Sequence, residues 1–480
     1  MYIGIDLGTS AVKILLMDKN GDIIKTISQD YPLLFPQENW IEQNPDDWFN
    51  ATLKGLKEIT LEYKNINALS FSGQMHGLVL LDKNDSIIRP AMLWCDQRTE
   101  EQCKTLNTIE NIIELTGNIA LTGFTAPKIL WLKENEPDNF KKIHKIMLPK
   151  DYIAFKLTGK YSTDVSDASG TLLLDVKNRV WSKEMLNFIG INISQLPELY
   201  ESFQVVGNIL PSISSLLNLN SETKVIAGAG DQAAGAIGVG VIDDSTLSVA
   251  LGTSGVVFAS MNSYFADSKA RLHSFCHANG KYHQMGVMLS AAGALKWWVE
   301  NIQKSKDYNL LIEKEAKESE IDTNLFFLPY LIGERTPHND PNAKGTITGL
   351  NIQHTRGDLT RSIIEGITFG LRDSLELIKS CKDSFTSIRV SGGGAKSDFW
   401  KQTLADIFNL KVDTINSTEG PAFGAAILAI VGDGLFKDVN EACSALIKIV
   451  ETKEPIERNI DIYNKKYSKF KTLYPILKEI

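Results

Sequence analysis

At 480 residues the chain is long for one core, and two or three domains are expected. Its 43% hydrophobic and 22% charged content is that of an ordinary globular protein, and a net charge of −8 argues against a nucleic-acid partner. No apolar run approaches the roughly 18–20 residues that a membrane span needs, so no membrane partner is expected. Five cysteines (Cys95, Cys103, Cys276, Cys381, Cys443) form no CxxC pair and read as free thiols in a reducing cytoplasm. The N-terminus opens directly on Tyr2-Ile3-Gly4-Ile5-Asp6, with no visible secretory leader.

Residues 2–30 read as a β-meander, with strands at 2–5, 12–17 and 22–27 and a turn at 18–21. Between the first two strands lies Asp6-Leu-Gly-Thr-Ser-Ala-Val-Lys13. The backbone of such a glycine turn, with the hydroxyls of Thr9 and Ser10, offers donors to phosphate oxygens. Lys13 would neutralise phosphate charge, and Asp6 could hold a divalent cation or its water. A plain polar hairpin is the bland alternative. Residues 46–63 have helical spacing, and Ile66–Phe71 is a strand running into Ser72-Gly-Gln-Met-His-Gly77. A polar cluster at a strand's C-terminal end is a usual ligand site in α/β folds. Gln74 and His76 could bond hydroxyls while Met75 offers apolar contact, although a loop histidine is often simply satisfied in place. Trp94 beside Asp96 reads either as a sugar-pocket wall or as core.

Residues 99–200 look more helical, with helices at 100–116, from Pro127 and from Leu148. Ser162–Gly170 reads as a polar loop with no specific chemistry beyond lining of a cleft. The stretch Val225-Ile-Ala-Gly-Ala-Gly-Asp-Gln232 is an apolar strand, a glycine bend and then a small-residue helix. Asp231 fits a helix N-cap. The sharper reading is a general base, because an ionised carboxylate is favoured at the positive end of a helix. Leu7-Gly-Thr-Ser10 recurs as Leu251-Gly-Thr-Ser254 between similar strands, which indicates an internal duplication. Only the first copy is preceded by a carboxylate.

In the second half, a strand at 284–288 precedes a helix at 289–298, and Arg361–Lys379 is a long helix. Arg335 suits either phosphate or a salt bridge. The strand Ser387–Ser391 enters Gly392-Gly-Gly-Ala-Lys-Ser-Asp398, where the backbone of Gly393 and Gly394 can meet a base or phosphate. There is no GxxxxGK[ST] sequence, and no dinucleotide fingerprint. Gly420–Ile430 echoes the small-residue helix after Asp231. Residues 459–480 form a terminal helix with Ile462, Tyr463, Tyr467, Phe470, Tyr474 and Leu477 near one face, expected to pack rather than bind a partner. Two phosphate-type hairpins, one carboxylate-bearing, together with a polar pocket in the first half, suit phosphoryl transfer to a hydroxyl.

These residues also carry a resemblance. Met1–Ser10, Gly73-Gln-Met-His-Gly77, Gly123-Phe-Thr-Ala-Pro-Lys128, Leu148-Pro-Lys-Asp-Tyr152, His273–His277 and Gly333-Glu-Arg-Thr-Pro-His-Asn339 resemble the FGGY carbohydrate kinases over nearly the whole length. The resemblance implies an α/β fold of two duplicated ribonuclease-H-like (actin-like ATPase) domains flanking a central cleft. It implies a sugar-binding domain at 1–242 carrying the base, and a nucleotide-binding domain at 243–480 whose terminal helix packs at an unassigned place. It also implies ATP and Mg²⁺ as cofactors and phosphorylation of the 5-hydroxyl of D-xylulose, with ribulose, glycerol or gluconate as the alternative. Asp231 would then be the base, with Met75 and His76 on the sugar, Gln232 beside it and Asp6 near the metal. Gly252 and Thr253 would approach the nucleotide phosphates, and Gly394, Ala395 and Asp398 the adenosine. Gln232 stands where the D-xylulose-acting branch often has Asn. Family habit adds a homodimer and closure of the domains on the sugar. A non-catalytic ATP binder and a sugar-binding regulator are the rival classes, both disfavoured by Asp231 and the Gln74–His76 run.

Overall fold

The computed structural model describes residues 1–382 and 384–479. Two mixed sheets of seven strands carry the fold. In the first, β1 (Tyr2–Leu7), β2 (Ala11–Met17) and β3 (Ile23–Asp30) form an antiparallel meander, and β4 (Ala68–Gly73) joins β1 in parallel. Next come β5 (Val205–Asn208) and β6 (Lys224–Ile226): β6 runs parallel to β4, β5 lies antiparallel at the edge, and the seventh strand, Ala229–Gly230, runs parallel to the end of β4. In the second sheet, β7 (Thr246–Leu251) and β8 (Gly255–Met261) are antiparallel, with β9 (His273–Cys276) and β10 (Tyr282–Met288) continuing outward. On the far side of β7, β11 (Ser387–Ser391) and β12 (Lys411–Ile415) are parallel, and β13 (Ile449–Lys453) closes the edge antiparallel.

The order β3-β2-β1-β4-β6-β5 therefore repeats as β10-β8-β7-β11-β12-β13, orientation by orientation. The duplication read from two four-residue copies is a duplication of whole sheets. The central strands are covered on both faces, as their buried runs Tyr2-Ile-Gly-Ile5 and Thr246-Leu-Ser-Val249 require. Helix Pro45–Thr60 covers one face of the first sheet; Asn44 caps it and Pro45 starts it. The other face is covered by helix Gly420–Asp433, which follows the second sheet's β12 in sequence yet packs on β1, β2 and β4.

Helices Asp231–Gly238 and Gly420–Asp433 cross at backbone contact. A Cβ on Gly424 would lie 1.8 Å from the Ala234 carbonyl oxygen, and one on Gly238 1.9 Å from that of Gly420. The small residues of both helices are what permit the crossing.

Several local expectations are corrected. The helix expected over 100–116 is two, Glu100–Leu106 and Ile112–Thr116, because the Asn107 side chain leaves the helical path to bond both backbone groups of Ala120. Ser162–Gly170 is no loop: it is strand Ser162–Asp164 and helix Val165–Ser169, buried throughout. The helix expected from Leu289 begins at Ala292 and continues as a π-helix to Ile302. The terminal helix spans Glu457–Leu477 and packs on the second half's core through Tyr463, Tyr467, Phe470 and Tyr474, with Ile462 and Leu477 only partly covered. Ile480 lies outside the described residues.

Gly424→Ala should therefore cost at least about 1–3 kcal/mol, the usual penalty of overpacking. Urea unfolding would measure it, and a midpoint equal to wild type would contradict the crossing as described.

Candidate active site

The first hairpin closes with Gly8 N–H donating to the Ala11 carbonyl at 3.1 Å. Asp6, next to last in β1, pairs across the sheet with Lys13 on β2 and Ser72 on β4. The Ser72 hydroxyl donates to Asp6 Oδ1 at 2.9 Å, and burial raises the Asp6 carboxyl above its usual range. Oδ2 is left for a cation or its water. Among the described residues, no group of three or more His, Cys, Asp or Glu side chains converges on a metal position. A divalent ion carried on nucleotide phosphates, reached by Asp6 through water, is what this donor set fits. Lys13, expected on phosphate, ion-pairs with Glu419 at 2.6 Å, immediately before helix Gly420–Asp433. The Thr9 hydroxyl accepts from the Trp94 indole at 3.1 Å, and Ser10 is exposed.

Asp231 is the first residue of helix Asp231–Gly238, and Gly230 holds the N-cap position. The carboxylate is thus not consumed by capping its own helix, which corrects the capping reading. Burial pushes its carboxyl up to about 7, with the Asp6 charge adding to the effect and the Gln232 side chain and backbone opposing it. Gly228 takes φ +78°, and a Cβ there would lie 2.4 Å from the Phe71 carbonyl oxygen, so only glycine makes this bend.

Met75 is buried directly against Gly230 and Gly170. His76 sits at φ +69°, a left-handed conformation uncommon for a side-chain-bearing residue. Its Nδ1 donates to the Gly170 carbonyl at 2.6 Å, so Nε2 is an acceptor. Burial pushes the imidazole down to about 3 against the pull of that bond, and the ring is neutral at physiological pH.

Gln74 and Asp96 are placed differently from expectation. Gln74 is buried behind the hairpin, donating to Gln43, which in turn donates to the Thr9 carbonyl. Asp96 is buried, with both oxygens taken by the Arg98 guanidinium and Oδ2 also by the Ile41 N–H. Trp94 is 46% exposed, so it is a surface wall and not core.

Sequence reasoning gave Lys128 no role. Its buried Nζ donates to the carbonyls of His76 at 2.9 Å and Gly123 at 2.7 Å, and burial pushes it down to about 7. From the second half, Arg335 reaches the same cluster, with Nη1 3.4 Å from His273 Nε2; it forms no ion pair among the described residues. Its neighbour Glu334 holds the loop by accepting from Leu289 and Arg335 N–H.

In the second half, Gly252, Thr253, Gly393 and Gly394 line one cavity of about 590 Å³. Leu251, Leu295, Ile312 and Trp400 supply apolar walls, and Lys296, Tyr308 and Glu313 polar ones. The latter went unnoticed because they lie on or beside π-helical turns (Trp297–Ile302, Asn309–Ala316), whose side-chain period differs from 3.6. Two expected residues stand apart. Ala395 packs against the second core. Asp398 ion-pairs with Lys401 at 2.9 Å and faces a separate, more polar cavity of about 780 Å³ that also borders the terminal helix.

Paired sheets of this order, each ending in a glycine hairpin, define the actin-like ATPase fold, here in the form that sugar kinases use. The chain belongs to the FGGY family of carbohydrate kinases: residues 1–238 match its N-terminal domain and residues 247–432 its C-terminal domain. It is 39% identical to the xylulose kinase of Bacillus subtilis (strain 168), over 100% of this chain and 97% of that protein. Among solved structures, a "xyloylose kinase" from Brucella ovis matches with TM-score 0.96 and 36% identity, covering 100% and 99% of the two chains. A gluconate kinase from Lactobacillus acidophilus matches with TM-score 0.95 and 29% identity, covering 99% and 98%.

The raised Asp231 carboxyl has a consequence for stability. Between its ordinary value of 3.8 and about 7, the unfolded chain ionises while the folded one keeps its proton, so folding stability falls across that window. Asp231→Asn should be more stable than wild type above pH 7, by roughly 1–3 kcal/mol once the partial openness of the side chain is allowed for. The gain should vanish near pH 4. Thermal melts of both proteins without Mg²⁺ across this range would test it, and equal melting temperatures at pH 8 would refute it.

Proposed function

We propose that this chain transfers the γ-phosphoryl group of ATP to the 5-hydroxyl of D-xylulose, yielding D-xylulose 5-phosphate and ADP. The observation that carries the reading is Asp231: a carboxylate at a helix start, buried to titrate near neutrality under the added charge of Asp6, with Met75 packed against the preceding Gly230. The similarity to xylulose kinases over the full chain supports the choice of sugar.

In this reading Asp231 accepts the hydroxyl proton as the oxygen bonds to phosphorus. A base titrating near the working pH combines a useful ionised fraction with driving force for proton transfer. His76 Nε2 accepts a sugar hydroxyl, Met75 packs on the carbon chain, and Gln232 and Trp94 border the sugar. The Thr9-Ser10 and Gly252-Thr253 turns approach the phosphates, while Gly393 and Gly394 lie against the adenosine. Mg²⁺ on the phosphates would supply charge neutralisation, with Asp6 holding its water. Lys13 exchanges Glu419 for phosphate. Residues 1–242 act as the sugar-binding unit and 243–480 as the nucleotide-binding unit. The unpaired thiols agree with a reducing cytoplasm, and among the described residues no helix is long and apolar enough to cross a membrane.

One observation favours a second reading. Arg335 brings to the His76 cluster a cation that has no carboxylate ion pair among the described residues, which suits a sugar acid such as gluconate. Gln232 in place of Asn leaves room for the same alternative.

ADP release with Mg-ATP should be measured against D-xylulose, D-ribulose, L-xylulose, glycerol, gluconate and no sugar. D-xylulose should give strong release, and the no-sugar control weak release, because the sugar assembles the site. Asp231→Ala should lose at least about 100-fold. Wild-type activity should rise with pH through about 7, the value to which Asp231 is pushed. Equal turnover with and without sugar would overturn the proposal, and release with gluconate alone would establish the second reading.

A further inference from the structure

Both ends of the bend that carries Asp231 are held by serines whose hydroxyls bond one buried carboxylate. Gly230 N–H donates to Ser166 Oγ at 3.2 Å, and Gly228 N–H donates to the Ser202 carbonyl at 3.0 Å. Both serine hydroxyls then donate to the same atom, Asp164 Oδ2, at 2.5 Å from Ser166 and 2.7 Å from Ser202. Ser166 N–H adds a third bond to that oxygen at 2.8 Å. Asp164 Oδ1 lies 2.8 Å from Lys150 Nζ. All four side chains, Lys150, Asp164, Ser166 and Ser202, are fully buried.

The direction of each bond follows from these partners. Gly230 N–H can only donate, so it takes a Ser166 lone pair and the Ser166 proton is left for Asp164 Oδ2. Hydrogen bonds chained in this way polarise one another inside a protein. The peptide that precedes Asp231 thus has its orientation set from Asp164. The same short segment reaches two other parts of the site. The Gly170 carbonyl accepts from His76 Nδ1, and Ser169 Oγ accepts from Cys276 N–H of the second half at 3.0 Å.

We propose that Asp164 is a positioning residue for Asp231, acting on the Gly228–Gly230 bend through the Ser166 hydroxyl, which holds Gly230, and by anchoring Ser202, whose backbone carbonyl holds Gly228. The proposal rests on Asp231 being the base. Asp164 touches neither sugar nor nucleotide in this reading, so its loss acts on the geometry of proton removal and leaves ground-state binding nearly intact. Misplacing a reacting group by about 1 Å can cost about 100-fold.

The test compares wild type, Ser166→Ala, Ser202→Ala, the double variant and Asp164→Asn in steady-state ADP release. Expected is a kcat loss of about 10-fold for Ser166→Ala and about 100-fold for Asp164→Asn, with both KM values within about threefold of wild type. The two serine variants should be non-additive, since they share one oxygen. Amide hydrogen exchange at Gly230 should accelerate in Ser166→Ala while amides of β7 stay protected, a readout independent of activity. Unchanged kcat in Ser166→Ala and Asp164→Asn would overturn the proposal. So would losses of kcat and KM that track the melting temperature and disappear on cooling, which would mark a purely structural network. A wild type without sugar-dependent ADP release would overturn the functional reading and this inference together, whereas an active wild type with unaltered variants overturns the inference alone.

Discussion

Withdrawing a carboxylate from water is costly, and the architecture around Asp231 is arranged to hold one at that cost. The group sits at the start of a helix, whose free N–H groups favour the ionised form, while burial and the Asp6 charge disfavour it. The balance leaves it near neutrality. Maintaining that balance demands a bend that admits no side chain at Gly228 and a partner helix close enough to exclude solvent. The glycines of the crossing helices and the serines behind the bend serve the same end from opposite sides.

Duplication gives this arrangement its economy. One strand order, used twice, brings two glycine hairpins to equivalent strand ends. The copies then diverge chemically. The first keeps Asp6 beside Ser72, and the second has Ala250 at that place and opens onto a cavity with apolar walls. One hairpin ends beside a buried carboxylate and the other beside an apolar-walled cavity, although both occupy equivalent places in the strand order.

The strands and hairpins were legible because their signals are local: alternating apolar runs, turn residues and a repeated four-residue string. The terminal helix was legible for the same reason, its aromatic residues recurring at helical spacing. Residues 162–170 were not. Their serines and aspartates look like solvent-facing loop residues, and only the fold supplies Lys150 and Ser202 as partners that make burial affordable. Asp96 misled in the opposite way: a carboxylate beside a tryptophan suggested a sugar wall, but Arg98, two residues on, takes it into the interior. Lys128 and Arg335 were visible as residues, yet their convergence on the His76 cluster joins segments about 200 positions apart. Sequence periodicity carries no information at that range.

The placement of helix Gly420–Asp433 bears on how the chain is made. Tyr2, Leu15 and Met17 on the first sheet share a core with Ala422, Ala426 and Ile430. During synthesis, the first sheet emerges from the ribosome long before the helix that covers that face. Its apolar surface must wait for nearly the whole polypeptide, while every strand of the second sheet except β13 is made in between. Such delayed closure exposes a nascent chain to off-pathway association and calls for shielding until the last tenth of translation. The two halves, alike enough to have arisen by copying, thereby share one buried core across the chain.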